Sequence, residues 1–586
     1  MKASAMVSQL LFLVLILTNL SSAGDRTWSW TVLNATLQGR LHAASPLAQP
    51  CFSHYDGRPV SPQPSQCSEL QAQYTTAAYR ADLYNGFMHA QNEICAASSN
   101  PITSQCLLDP SNPTDLAAVL SHSCGQGSVS RYYIPVHEAA DVQTAFEFAR
   151  HTGVALSVKN SGHDFSSRSS LHGSLALWTR PLQNLAFHPE FIPEGCPIAP
   201  SASHPAITLG AGVNFDQVYR FAHQNNVTFI GGTAPTVGAS GGLAMTGGHG
   251  LLSAQFGLGI DRILEYQIVT PDGQVRRANA CQNTDLFWAL RGGGGGTYGV
   301  VLESTSSVEP RLPLVFAYLT VPANVTHPDA FAQLLMEHAV RWSQQGWGGP
   351  NSMNSLVMAN PFLNLAAARA SLAEAIDYVK AQPGGTVVFE SYPDFFPVYE
   401  AYMLPTANAG VGQARFATNR LIPTAMLQNA TGRARILDTL NQLVAEGYKP
   451  TLFATPPSDI HSPYTDPGST SATPAWRNST WMITTEAQWP WNSTLTQRRA
   501  FVRRLKAVTR ALERLAPDSG SYISEADPFT DNWKTSWWGE NYAELLRIKQ
   551  KYDPDGLLRC WRCVGWDEQW EQPGGRFDCL GGLLTN

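Results

Sequence analysis

Ser157-Val-Lys-Asn-Ser-Gly-His-Asp164 is the stretch on which the reading of the fold turns. It leaves a short apolar strand, Val154-Ala-Leu-Ser-Val-Lys159, and breaks into a turn at Gly162. Upstream, Tyr132-Tyr-Ile-Pro-Val136 reads as a strand, and residues 139–150 place Val142, Ala145, Phe146 and Ala149 on one helical face. The three segments form a β-α-β unit ending in a glycine turn. Consecutive backbone N–H groups in such a turn make a nest for a phosphate.

A second glycine-dense stretch, Gly231-Gly-Thr-Ala-Pro-Thr-Val-Gly-Ala-Ser-Gly-Gly242, offers a facing loop with Thr236 and Ser240 as added donors. Two such loops suit a diphosphate, although ordinary glycine-rich turns give the same composition. Gly294, Gly296 and Gly299 spell G-x-G-x-x-G, but a helix (285–291) precedes them and a strand (300–303) follows. That order is the reverse of the dinucleotide fingerprint, which must open a helix. A lone histidine in a turn, such as His163 or His249, is more often a hydrogen-bonding residue than an attachment point.

Further strands are predicted at 175–178, 206–209, 227–230 and 263–270, the last forming a hairpin with 274–277 around Pro271-Asp-Gly273. After Pro310 extended segments at 314–321, 386–389 and 481–486 mix with helices at 328–343, 363–380, 424–446, 496–516 and 541–551. The helix over 496–516 is strongly cationic on its polar face and is read as solvated. The class is α+β with two main domains, as 586 residues exceed the ~250–300 at which one core stops growing.

Hydrophobic residues make up 44% of the chain and charged ones 14%, with a net charge of −6. No basic stretch marks a nucleic-acid or membrane surface, so a small molecule in a pocket is the expected partner. Residues 1–23 read as a signal peptide: Lys2, an apolar run over 10–17 and small residues Ser21-Ser22-Ala23. The run is shorter than the ~20 residues of a spanning helix. Acceptor sequons at Asn34, Asn226, Asn324, Asn429, Asn478 and Asn492 agree with a secreted glycoprotein. All 10 cysteines follow the leader, an even number that suits disulfides. Cys560-Trp-Arg-Cys563 resembles a zinc half-site or redox pair, but no second pair or histidine stands at metal spacing, so disulfides are favoured and no metal is expected.

Separated segments in a fixed order carry a family resemblance. They are Val158-Lys-Asn-Ser-Gly-His-Asp-Phe-Ser-Ser-Arg-Ser169, Ala234-Pro-Thr-Val-Gly238, the glycines from Gly241 to Gly250, and Gly257-Leu-Gly-Ile-Asp261. Asp285-Leu-Phe-Trp-Ala-Leu-Arg-Gly-Gly-Gly294, Trp538-Gly-Glu-Asn-Tyr542 and Tyr552-Asp-Pro554 follow. The chain resembles the FAD-linked oxidoreductases with a PCMH-type, vanillyl-alcohol-oxidase-like FAD domain. Within them it is similar to the berberine-bridge-enzyme-like branch, and especially its secreted fungal members in alcohol oxidation and secondary metabolism. The resemblance implies a Cys-rich N-terminal region (24–126), a PCMH-type FAD domain (127–311), and a substrate domain with an antiparallel sheet backed by helices (312–516). A C-terminal segment (517–586) would return to the FAD domain.

By the same resemblance His163 bonds covalently to the flavin 8α-methyl carbon. Asn160, Ser161, Gly162 and Asp164, with Thr236, Val237, Gly238, Ser240 and Gly241, hold the pyrophosphate. Ile268 meets the adenine end through its backbone, and Asn541 returns to the flavin side. Ala234 stands where bicovalent members carry cysteine, so FAD should be monocovalent, and Thr246 replaces a glycine common in relatives. The implied reaction moves hydride from an alcohol or small natural product to FAD, with O₂ as acceptor and H₂O₂ as product. Glu486 is the first candidate for the base that takes the substrate proton, with Tyr402 and Tyr522 behind it. An oxidative or redox-neutral cyclase is the alternative, and a non-catalytic secreted binding protein the remote one. A monomer is expected.

Overall fold

The two strands of the β-α-β unit are present but do not touch, because a later strand lies between them. The first sheet contains β1 (His42–Ala43), β2 (Tyr132–Pro135), β3 (Leu156–Lys159) and β4 (Leu175–Trp178), in the order β1-β2-β4-β3. β4 pairs in parallel with both β2 and β3. The crossover helix α1 (Ala139–Thr152) starts in a capping box of Glu138 and Asp141 and stops at Gly153, whose φ of 72° favours glycine. Val142, Ala145, Phe146 and Ala149 are the face it buries, against Leu175 and Leu177 and against Val269 and Val300 of the next sheet. In the computed structural model residues 27–98, 105–120, 123–198, 203–322, 328–458, 466–571 and 574–585 are described; the leader reading at 1–23 and Asn324 fall outside them.

The second sheet is antiparallel and contains β5 (Leu185–Phe191), β6 (His204–Gly210), β7 (Ile263–Val269), β8 (Val275–Asn279) and β9 (Val300–Ser307). Its order is β8-β7-β9-β6-β5, with the hairpin β7–β8 at one edge. The helix Thr284–Leu290 precedes the glycine run and β9 follows it, so G-x-G-x-x-G opens no helix.

The third sheet has β10 (Leu314–Thr320), β11 (Gly349–Ser352), β12 (Ser355–Asn360), β13 (Thr386–Tyr392), β14 (Ala414–Pro423), β15 (Thr451–Ala454) and β16 (Ser479–Trp489). Their order is β13-β10-β12-β11-β15-β16-β14, antiparallel throughout. Helices α2 (Pro328–Gln344), α3 (Ala430–Ala445) and α4 (Leu495–Leu515) cover one face. Phe331, Leu335, Ile436, Leu440, Val508 and Leu512 meet Leu319, Leu356, Leu452 and Ile483 there. Each such side chain contributes roughly 1.5–3 kcal/mol by leaving water. On β16 the period of two sends Trp481 and Ile483 to this core, and Thr484, Glu486 and Gln488 to the opposite face.

Three local expectations change. The helix expected over 424–446 is two, because Asn429 leaves the helical region and accepts from Gly432 N at 2.7 Å as an N-cap. The one expected over 363–380 is also two, Leu365–Ser371 and Ala373–Ala381, meeting at Leu372. The cationic face of α4 is not simply solvated. Arg498 is fully buried and donates to Gln105 Oε1 and Ala96 O, while Arg499 reaches Gly582 O at 3.1 Å. Of that face, Lys506 and Arg510 pair with Asp531.

All ten cysteines are paired, as Cys51–Cys67, Cys95–Cys579, Cys106–Cys124, Cys196–Cys281 and Cys560–Cys563. Among the described residues no metal-binding cluster occurs and no helix is long and apolar enough to cross a membrane. Asn226, Asn429, Asn478 and Asn492 are exposed, whereas Asn34 is half-buried and accepts from Leu41 N at 3.2 Å. Cys95–Cys579 joins residues 484 apart, the longest loop of the five. Replacing both by serine is expected to cost about 2–5 kcal/mol, read as a lower urea midpoint with secondary structure intact beforehand.

Candidate functional site

The turn after β3 is fixed by two side chains. Asn160 donates to Ala211 O and, at 3.1 Å, to Ser240 O, tying the turn to the end of β6 and to the glycine loop. Asp164 accepts from Ser166 N (2.9 Å), Arg168 N (2.7 Å), Ser169 N (2.7 Å) and Ser169 Oγ (2.6 Å). Its carboxylate is therefore spent on shaping residues 164–169. Gly162 has φ +86°, and a Cβ there would lie 3.0 Å from Gly86 O. A Cβ on Gly238 or Gly241 would lie 2.7 or 2.9 Å from the Asn160 amide. Both glycines are required by that close approach.

These loops floor a cavity of about 1080 Å³. Asn160, Ser161, Gly162, His163, Asp164, Val237, Gly238 and Gly241 all line it, with Gly295, Gly296 and Gly299 of the third glycine run. Its other walls come from β14–β16, from the 406–413 loop, and from Tyr522, Ser524 and Glu525 near the C-terminus. The turn and the third sheet thus share one chamber. Thr236 reaches it through His163, whose Nε2 lies 2.7 Å from Thr236 Oγ1. Burial first, and the Lys159 charge second, push the His163 imidazole down to about 3.

Other expected residues sit elsewhere. Ser240 is fully buried and accepts from Ser304 Oγ at 2.8 Å. Ile268 is fully buried on β7, with its side chain under Gly299. Asn541 donates to Ala472 O at 2.9 Å and is not a lining residue. Tyr402 also lies outside the lining, packed on Phe316 with its hydroxyl 3.4 Å from Tyr392.

Glu486 and Tyr522 do line the cavity. Glu486, opposite Ala417 on β14, forms an ion pair with Arg415 one step along the same face. Tyr522 is buried, and burial first, then Glu525, raise its phenol above the ordinary value. Sequence reading missed two residues. Glu525 lines the wall and pairs with His249 Nε2 at 3.2 Å, while His249 Nδ1 meets Thr455 Oγ1 at 3.2 Å. His89 also lines the cavity, stacked on Phe165 at 4.1 Å. Neither lies in a periodic or glycine-marked segment; the singled-out Gly247-Gly-His-Gly250 was the one pointer to Glu525.

Comparison with known proteins follows the same division. A family model described as an FAD binding domain matches residues 130–279, and one described as berberine and berberine like matches 521–561. The FAD-linked oxidoreductase ffsJ of Aspergillus flavipes is 44% identical over 94% of this chain and 95% of its own length. The bifunctional decalin synthase calF of Penicillium decumbens is 30% identical over 94% of each chain. The VAO-type flavoprotein oxidase VAO615 of Thermothelomyces thermophilus is 29% identical over 94% of this chain and 93% of its own. The crystal structure of VAO-type flavoprotein MtVAO615 from Myceliophthora thermophila C1 superposes with a TM-score of 0.76 at 27% identity, covering 93% of this chain and 98% of that one.

Beneath the turn Lys159 is fully buried, donating to Leu83 O at 3.2 Å and lying over Phe87 and Trp178. Burial pushes its ammonium down to about 7, against the pull of Glu93. Between about 7 and the ordinary 10.5 the unfolded chain therefore holds a proton that the folded one does not. Stability should rise with pH across that window. Lys159→Met is expected to flatten this rise relative to the parent, measured as the thermal midpoint at pH 7 and pH 10.

Proposed function

The chain belongs to the FAD-linked oxidoreductases that pair an FAD binding domain with a berberine-like C-terminal segment, and we propose that it oxidises an alcohol or small natural product through FAD attached to His163. The observation that carries this reading is the single chamber in which His163 and the glycine loops face the charged wall of the third sheet. The residues present fit the cofactor. Asn160 Oδ1 and Ser166 Oγ are buried polar atoms with no hydrogen-bond partner among the described residues. Gly238 and Gly241 leave room where a side chain would strike Asn160. Asn160, Ser161, Gly162, Val237, Gly238 and Gly241, which line the chamber, would hold the pyrophosphate. Thr236 engages Nε2 of His163 and leaves Nδ1 for attachment.

When bound, FAD supplies the centre that accepts hydride, and dioxygen is the acceptor proposed for its reoxidation. The protein must bind the substrate, orient its C–H bond and take the heteroatom proton. We assign that proton to Glu525 ahead of Glu486. The Glu486 carboxylate is matched by Arg415, and Tyr522 holds its own proton firmly. Glu525 faces the chamber with His249 fixing its orientation from behind, and Thr455 fixing His249. Residues 127–311 are assigned to the cofactor domain, 312–516 to substrate binding, and 517–586 to the segment that completes the wall. Five disulfides support passage through an oxidising secretory compartment.

An oxidase reading agrees with the name of VAO615, and a cyclase reading has support in calF, a decalin synthase. Peroxide separates them: an oxidase forms H₂O₂ in step with substrate loss, whereas redox-neutral cyclisation forms none. The purified protein should be yellow, with colour retained after acid precipitation and lost from His163→Ala. With a substrate that bleaches the flavin anaerobically, Glu525→Gln should slow bleaching by about 10²–10⁴-fold. A larger loss in Glu486→Gln than in Glu525→Gln would reverse the assignment.

A further inference from the structure

His89 is a polar side chain without a partner in the wall of the cofactor chamber. It is 4% exposed, and neither Nδ1 nor Nε2 has a hydrogen-bond partner among the described residues. Its ring plane is set by stacking on Phe165 at 4.1 Å, and its backbone neighbours are anchored where Ala90 N donates to Gln413 O at 2.9 Å. A buried imidazole of this kind costs free energy unless something in the chamber meets its nitrogens. His163 stands edge-on to it, 6.3 Å between ring centroids, and lines the same chamber. Burial first, then its neighbours His163, Arg415 and Arg80, hold His89 in its neutral form, in which one ring nitrogen carries an unshared pair.

We propose that His89 is a catalytic residue of cofactor attachment, taking the proton that leaves the flavin 8α-methyl carbon as that carbon is joined to His163. The assignment rests on FAD attachment at His163. In the balanced step one methyl C–H bond and one N–H bond of His163 break, and one C–N bond forms. Two protons leave, the first to His89. The electron pair of the C–H bond stays on the ring system, and dioxygen removes it to give hydrogen peroxide. Thr236, 2.7 Å from Nε2 of His163, is a positioning residue that fixes the ring and leaves Nδ1 as the attaching nitrogen.

The test compares full-length wild type, His89→Ala and His89→Gln, each incubated with FAD and sampled over time. Flavin retained after acid precipitation is measured, with the flavin mass on the peptide containing His163. Wild type is expected to carry that mass. Both variants should bind FAD, release it on acid treatment, and form the bond about 10²–10⁴-fold more slowly, the range of a general base. Added imidazole should restore attachment in His89→Ala, whose missing ring leaves space, but not in His89→Gln. A role confined to packing would show no such rescue. His89→Gln keeps bulk against Phe165, so poor folding of the alanine variant alone does not blunt the test. Attachment at the wild-type rate in either variant overturns the assignment. Flavin bound but absent from His163 in wild type would instead overturn attachment itself, visible before any variant is compared.

Discussion

One amide holds the site together. Asn160 sits just past the end of β3, an edge strand of the first sheet, and its single NH₂ group donates to backbone carbonyls of two other segments. This bond pair sets the gap between the turn that carries His163 and the loop that carries Thr236. It also explains why Gly238 and Gly241 must be glycine, since the amide occupies the place of their missing side chains. Asp164 then shapes the remainder of the turn through N–H groups within five residues of itself. A few hydrogen bonds, about 1 kcal/mol each in net terms, thus position chemistry that a hydrophobic core could not aim.

The two halves of the chamber do different physical work. The floor is glycine and backbone, short of side-chain charge, and suited to a polyanion met by N–H dipoles. The far wall is polar and paired: Arg415 with Glu486, and Glu525 with His249. Arg415 and Glu486, held as a pair on adjacent strands, can orient a polar group on a substrate without first reorganising. Arg415 and Glu486 belong to the sheet whose opposite face is sealed by helices, whereas Glu525 and His249 come from a C-terminal turn and the glycine loop.

What could be read in the sequence was local. The crossover helix, its buried face, the glycine turn and the false dinucleotide motif all follow from spacing within some twenty residues. Strand 175–178 inserting between 132–135 and 156–159 was illegible, because strand order is a matter of long-range pairing. Arg498 looked like one more solvated cation on α4, since its acceptors lie about four hundred positions earlier, at Ala96 and Gln105. Of the three candidate bases, Glu486 and Tyr522 reach the chamber while Tyr402 packs into an aromatic cluster beside it. Glu525 and His89 carry no spacing signal; each matters through what faces it across the chamber.

Cys95–Cys579 adds a constraint on the order of events during synthesis. Ala97 N donates to Cys579 O at 2.9 Å, so the bridge is continuous with backbone pairing between the two ends of the chain. Cys95 therefore has no partner until the chain has been made through residue 579. The short bridges of the N-terminal region, Cys51–Cys67 and Cys106–Cys124, can close early and limit wrong pairings meanwhile. Closure of this bridge becomes a check that translation has passed residue 579, and a chain cut short before it would betray itself by a reactive cysteine.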